Sequence, residues 1–137
     1  MRIPLRRFSI PSRTSELVRV RRRVNRWAAE VGLSERGTQA LELAVDEAVA
    51  NAIEHGYGGR PDGRVVVLGT LAPHALTVTV RHRGRAIDPK HTGPDLASTL
   101  AQRRVHGYGL HLMRRLVDDL AFDSSRGASE VRLTKRK

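Results

Sequence analysis

Glu47, Asn51 and His55 stand at steps of four in residues 41–55, a stretch otherwise rich in good helix formers. A step of four turns an α-helix by about 400°, so the three lie nearly above one another in a slowly drifting stripe. Leu41, Val45, Ala48, Val49 and Ala52 recur at helical spacing and mark a core face, which the polar stripe borders rather than opposes. Asparagine is a weak helix former whose amide competes with the backbone, so Asn51 in mid-helix needs a task. A carboxylate and an amide oxygen one turn apart beside a pocket suit a hydrated magnesium ion bridging to phosphates. A solvated helix edge ending in one histidine would use the same residue types, and spacing alone leaves the two readings level.

Two glycine-bearing segments follow. In His82-Arg83-Gly84-Arg85-Ala86-Ile87-Asp88-Pro89, just past an expected strand, Gly84 would let a ligand come close to the backbone. Gly107-Tyr108-Gly109-Leu110 opens an expected helix, where amides without intrahelical partners and flanking glycines make a natural phosphate site. Neither segment is a Walker motif or a dinucleotide fingerprint, because the lysine pattern and the third glycine are absent.

The elements that must position these residues can be read in order. Residues 3–10 are expected as an edge strand that tolerates Pro4. Pro11-Ser12 breaks it, and Ser12 or Thr14 is expected to cap a helix over residues 15–31. That helix places Leu17, Val20, Val24, Trp27 and Ala28 inward and most of Arg19, Arg21, Arg22, Arg23 and Arg26 outward. Gly32 ends it and Ser34 caps the helix carrying the polar stripe, which Gly56, Gly58 and Gly59 terminate. Pro61-Asp62-Gly63 is a turn. Residues 64–71 and 75–81 form an antiparallel hairpin around Ala72-Pro73-His74. Residues 84–106 lose periodicity, as functional loops do. A helix returns with Leu110, Met113, Leu116 and Val117 and is expected to run to about Leu120. Short strands at residues 121–123 and 130–134 flank a turn, and the tail from Lys135 to Lys137 is expected to fray. This order gives an α+β two-layer sandwich, with helices on one face of a largely antiparallel sheet.

Length and charge narrow the function. The 137 residues suit a single domain spanning 1–137. The absence of cysteine excludes a disulfide framework and a cysteine-based zinc site. No apolar run has the length of a membrane span and no signal-peptide core is present, which leads to an expected cytoplasmic location without membrane contact. The net charge of +11 is concentrated in residues 1–26, which carry nine arginines against the single acid Glu16. Such a surplus suits an acidic partner or a solvated helix face. With only two Phe, two Tyr and one Trp, the chain is poorly equipped to stack on single-stranded bases, and no direct nucleic-acid contact is expected.

Taken together, Glu47-x-x-x-Asn51-x-x-x-His55, the hairpin, Gly84 with Ile87-Asp88-Pro89, the loop and Gly107-x-Gly109-Leu110 resemble one family from about residue 5 to residue 134. It is the family of small ATP-binding anti-sigma-factor serine kinases of bacterial partner-switching systems, relatives of gyrase, the ninety-kilodalton heat-shock chaperone and sensor histidine kinases. The resemblance implies three main helices packed on one face of a mostly antiparallel mixed sheet, with ATP and Mg2+ as cofactors. It implies that Glu47 is the catalytic acid that polarises the nucleophile, that Asn51 is the magnesium ligand and that His55 closes the same box. It implies that Gly84 lies beneath the adenine, that Asp88 ends that box, and that residues 89–106 are the ATP lid. Gly107, Gly109 and Leu110 would form the phosphate-facing turn, with Arg104 and Tyr108 also among the nucleotide-binding residues. Transfer of the γ-phosphoryl to a serine of an antagonist protein, sequestration of a sigma factor and a homodimer are further implications. One position departs from the family pattern: His82 stands where the family has an aspartate that accepts a hydrogen bond from the adenine amino group. The alternative that follows is a non-catalytic regulatory module of the same fold with weak or no ATP binding.

Overall fold

Alternation of β-branched and polar residues along the chain pays out as one five-stranded sheet, seen in a computed structural model that describes residues 3–84, 105–125 and 127–137. The strands are β1 (Leu5–Pro11), β2 (Arg64–Ala72), β3 (Ala75–His82), β4 (Asp119–Ser125) and β5 (Ala128–Arg136). They lie in the order β1-β2-β3-β5-β4. All four pairings are antiparallel, so the sheet expected as mostly antiparallel and mixed has no parallel pair among the described residues. Strand alternation sends Val65, Val67, Leu71, Leu76, Val78, Val80, Val131 and Leu133 to one buried face.

Helices α1 (Leu17–Val31), α2 (Glu35–Asn51) and α3 (Val105–Leu116) cover that face. On α1 the buried side is Val20, Val24, Trp27, Ala28 and Val31, and on α2 it includes Leu41, Ala44, Val45, Ala48 and Val49, as the periodicity predicts. Trp27 packs on Phe8 of β1 with ring centroids 5.6 Å apart, and the Arg23 guanidinium lies 5.0 Å over the Phe8 ring. Gly32 closes α1 at φ 88, and the Ser34 hydroxyl accepts from the Gly37 amide at 3.0 Å, the expected cap of α2.

Four local expectations are corrected. Neither Ser12 nor Thr14 caps α1, whose entry is a 3-10 turn over Thr14–Glu16 with no side-chain cap. The Ser12 hydroxyl instead donates to the Arg60 carbonyl and accepts from the Gly63 amide, tying the end of β1 to the turn before β2. Helix α3 ends at Leu116, and Leu120 lies in β4, because its pairing with Leu133 competes with another helical turn. The strands flanking the last turn are longer than the sequence suggests, reaching Ser125 and starting at Ala128. The tail does not fray: Lys135 pairs with Leu76, its ammonium donates to the Leu116 carbonyl at 3.0 Å, and the Lys137 amide donates to the His74 carbonyl at 2.8 Å.

Candidate functional site

Helix α2 does not run regularly into its glycines. After Asn51 the backbone widens into a π turn, Ala52–Gly56, in which the Tyr57 amide reaches back five residues to the Ala52 carbonyl at 3.1 Å. Such turns recur at functional sites. A wider turn rotates less per residue, so His55 does not simply continue the stripe of Glu47 and Asn51. Gly58 (φ 61) and Gly59 (φ 78) then take the left-handed conformations that end the helical path.

Gly56 and Gly84 are both tightly packed against neighbouring parts of the chain. A Cβ at Gly84 would stand 1.9 Å from the Gly56 carbonyl oxygen and 2.9 Å from Cδ1 of Tyr57. A Cβ at Gly56 would stand 2.5 Å from Cδ2 of His82. The close approach at Gly84 is thus made by the chain itself, where the π turn presses on the end of β3. Tyr57 locks the contact: its hydroxyl donates to the Arg64 carbonyl at 2.6 Å and accepts from the Arg83 amide at 2.9 Å. Its ring meets the His82 ring edge-on, with centroids 5.9 Å apart.

Beside this junction, between α2, α3 and the β3-β5-β4 part of the sheet, lies a cavity of about 250 Å³. Its walls are mainly apolar, from Ala48, Val80, Met113, Phe122 and Val131, and its polar lining includes Asn51, His82 and Ser129. Such a lining, apolar with a few convergent polar groups, is typical of small-molecule sites. Asn51 is 2% exposed, and its Oδ1 has no hydrogen-bond partner among the described residues. A buried amide oxygen left without a partner carries a desolvation cost that a ligand or cation would relieve. His82 is buried at 4% exposure. Asp123 and Glu130 line the more open side, and Glu130 is engaged by Arg81 at 3.0 Å and Arg132 at 3.5 Å.

Of the residues singled out from the sequence, Asn51 and His82 line this cavity. Glu47 and His55 are half-buried on α2 and the π turn and are not among its lining, and Gly84 packs on Gly56 and Tyr57. Gly107, Tyr108, Gly109 and Leu110 lie inside the first turns of α3, not in a turn ahead of it, because the helix starts at Val105. Asp88, Arg104 and nearly all of the expected lid lie outside the described residues. Ser129 was not anticipated. Its Cα partner in the sheet is His82, and it is a buried hydroxyl on the face that carries Val131 and Leu133. A polar residue in phase with apolar ones was the available signal, one residue before the strand expected from 130.

Away from the cavity, α1 is pinned to α2 by Arg21, whose Nε is 2.9 Å from Asp46 Oδ2. Burial raises the Asp46 carboxyl above its ordinary value, outweighing the opposing pull of the Arg21 charge and hydrogen bond. Glu42 adds a smaller push in the same direction and accepts from Asn25 at 2.8 Å. Among the described residues no group of three metal-ligating side chains exists. Asn51 Oδ1 is a protein oxygen of the kind that magnesium takes beside phosphate and water ligands.

The sequence profile of the histidine kinase-like ATPase domain matches residues 10–135. The chain belongs to that family. Within it, the chain is 36% identical over 97 residues to the anti-sigma F factor of Bacillus velezensis, a match spanning 69% of this chain and 66% of that protein. It is 30% identical over 109 residues to the serine-protein kinase RsbW of Listeria monocytogenes, spanning 76% and 69%. It is 29% identical over 140 residues to RsbW of Bacillus pumilus, spanning 97% and 86%. The crystal structure of the RsbU and RsbW domains of Rv1364c from Mycobacterium tuberculosis superposes with a TM-score of 0.69. That likeness, at 24% identity over 97% of this chain and 32% of that one, is one of fold. This histidine kinase-like ATPase domain has the helices-on-antiparallel-sheet architecture that the motif pattern implies. No helix among its described residues is long and apolar enough to cross a membrane.

Proposed function

We propose that this histidine kinase-like ATPase domain is a cytoplasmic anti-sigma regulatory factor that binds ATP with Mg2+ and transfers the γ-phosphoryl to a serine of an antagonist protein. The observation that carries the reading is Asn51: a buried amide oxygen without a hydrogen-bond partner among the described residues, bordering an apolar cavity. Bound magnesium would neutralise charge on the phosphates, and the buried amide oxygen of Asn51 supports its assignment as a ligand to that ion. Ala48, Val80, Met113 and Val131 would exclude water from around the base. Glu47, one turn before Asn51, is assigned the role of polarising the serine hydroxyl, and His55 that of supporting the same region. Gly107 and Tyr108 belong to the first four residues of α3, whose amides lack intrahelical partners and suit phosphate oxygens. Relatives bearing the names anti-sigma F factor and serine-protein kinase support both halves of the proposal, sigma-factor binding and phosphoryl transfer. The arginine face of α1 would meet an acidic surface of such a partner, and a homodimer is part of the same reading.

A second reading is favoured by His82. An imidazole in the lining of the cavity accepts one hydrogen bond at most and carries no negative charge. On that reading the domain regulates by surface contact, with weak or no ATP binding. Calorimetric titration with ATP and magnesium, followed by a phosphoryl-transfer assay on a candidate antagonist, tests the proposal. Saturable magnesium-dependent binding and a phosphoserine product are expected. Binding without transfer would favour the regulatory module, and absence of binding would refute the kinase reading.

A further inference from the structure

We propose that the face of the sheet turned away from the helices is the contact surface for a second copy of this chain, the two sheets packing face to face about a twofold axis parallel to β3. The proposal rests on the homodimer in the reading above, for which it names the surface, and it is independent of nucleotide binding. Phe8, Val67, Val80 and Val131 point to the helices, so by alternation their chain neighbours point outward. No described helix or strand covers that outer face, where the side chains of Arg81, Arg132 and Arg136 are 46%, 48% and 64% exposed. Its middle carries Leu68, Thr70, Thr77 and Thr79, and Glu130 engages both Arg81 and Arg132. One edge is basic through Arg7 of β1, and the other is acidic through Asp119 and Asp123 of β4.

The register makes these edges complementary in a twofold arrangement. One row crosses the sheet through Arg7, Leu68, Thr79, Arg132 and Ala121. With β3 central in the order β1-β2-β3-β5-β4, an axis along β3 carries β1 of one copy over β4 of the other at the same level. Arg7 then stands over the small, exposed Ala121 of the partner, with the partner's Asp119 and the partner's Asp123 about 7 Å to either side along the strand. The contact occurs twice, as twofold symmetry requires. Pairing through a sheet edge lacks this match: β1 against β1 would bring Arg6 and Arg7 together with their own copies, and Pro11 cannot donate to such a ladder. The five strands of seven to nine residues present a face of about 24 Å by about 26 Å. Two such faces would bury about 1,200 Å² in all, at the lower end of the range for stable interfaces.

The test is sedimentation of the whole chain over a range of concentrations, for the native protein, Arg7→Glu and the double variant Asp119→Lys with Asp123→Lys. Native protein is expected to self-associate to a dimer. Each variant alone is expected to weaken the dimer by about tenfold or more, because like charges then meet at both copies of the contact. An equal mixture of the two variants is expected to recover native association, because in the mixed dimer both contacts again join opposite charges. Ala121→Arg, at an exposed position, is expected to weaken the dimer in the same way and decides the matter if the double variant fails to fold. A native dimer that every variant leaves intact would overturn the inference and leave the homodimer standing. Association strengthened by Arg7→Glu and untouched by the aspartate changes would place the contact on the β1 edge and also overturn it. A native monomer at every concentration would overturn the inference and the homodimer together.

Discussion

Replacing Asn51 by alanine should separate stability from function. The Asn51 side chain is 2% exposed and its Oδ1 has no partner among the described residues, so the native fold already bears the desolvation of that acceptor. Removing it relieves about 1–3 kcal/mol. Alanine is also the better helix former, by up to about 0.7 kcal/mol. Against this, the contacts of the lost amide cost about 1 kcal/mol, a low figure because the group already borders a cavity. Asn51→Ala should therefore be as stable as the native protein or up to about 3 kcal/mol more stable, with a melting temperature raised by about 2–8 °C per kcal/mol. Magnesium-dependent nucleotide binding and phosphoryl transfer should be lost in the same variant. Thermal unfolding followed by circular dichroism, paired with titration of ATP with and without magnesium, reads both. A melting temperature lowered by more than about 5 °C would mean that the amide holds the fold together. Undiminished magnesium-dependent binding would remove Asn51 from the metal site.

Two further outcomes follow from the geometry. Gly84→Ala places a methyl carbon 1.9 Å from the Gly56 carbonyl oxygen, backbone against backbone. It should cost at least about 1–3 kcal/mol in chemical denaturation, and an unchanged midpoint would show that the π turn does not press on the end of β3. Asp46 has its carboxyl raised by burial, so ionising it opposes folding. The contribution is absent below the ordinary value of 3.8, where the group is protonated folded or unfolded, and it destabilises as pH rises above that value. Asp46→Asn should thus match or modestly exceed native stability at neutral pH, with the difference vanishing in acid. A variant markedly less stable at neutral pH would show that the Arg21 ion pair outweighs the burial cost.

The core faces of α1 and α2 were legible in the sequence, because burial on one side of a helix imposes a 3.6-residue period on residue type. Val20, Val24, Trp27, Leu41, Val45 and Val49 all lie where that period puts them. The Ser34 cap and the β2-β3 hairpin were legible for similarly local reasons. So were Asn51, conspicuous as a poor helix former among good ones, and the family to which the motif pattern points. Other features depend on partners distant in the chain. Ser129 lines the cavity only because sheet register sets it beside His82, 47 positions earlier. Gly84 is a packing glycine only because Gly56 of the π turn arrives against it. The widening of α2 leaves no mark in its apolar period, and the end of α3 is decided by the competing pairing of Leu120 with Leu133. Local spacing reveals which faces are buried and which polar residues stand out beside them, since period and residue type are read from neighbouring positions. The tertiary structure alone decided which of them share one cavity, because contact across a sheet is set by register and packing between segments that spacing does not relate.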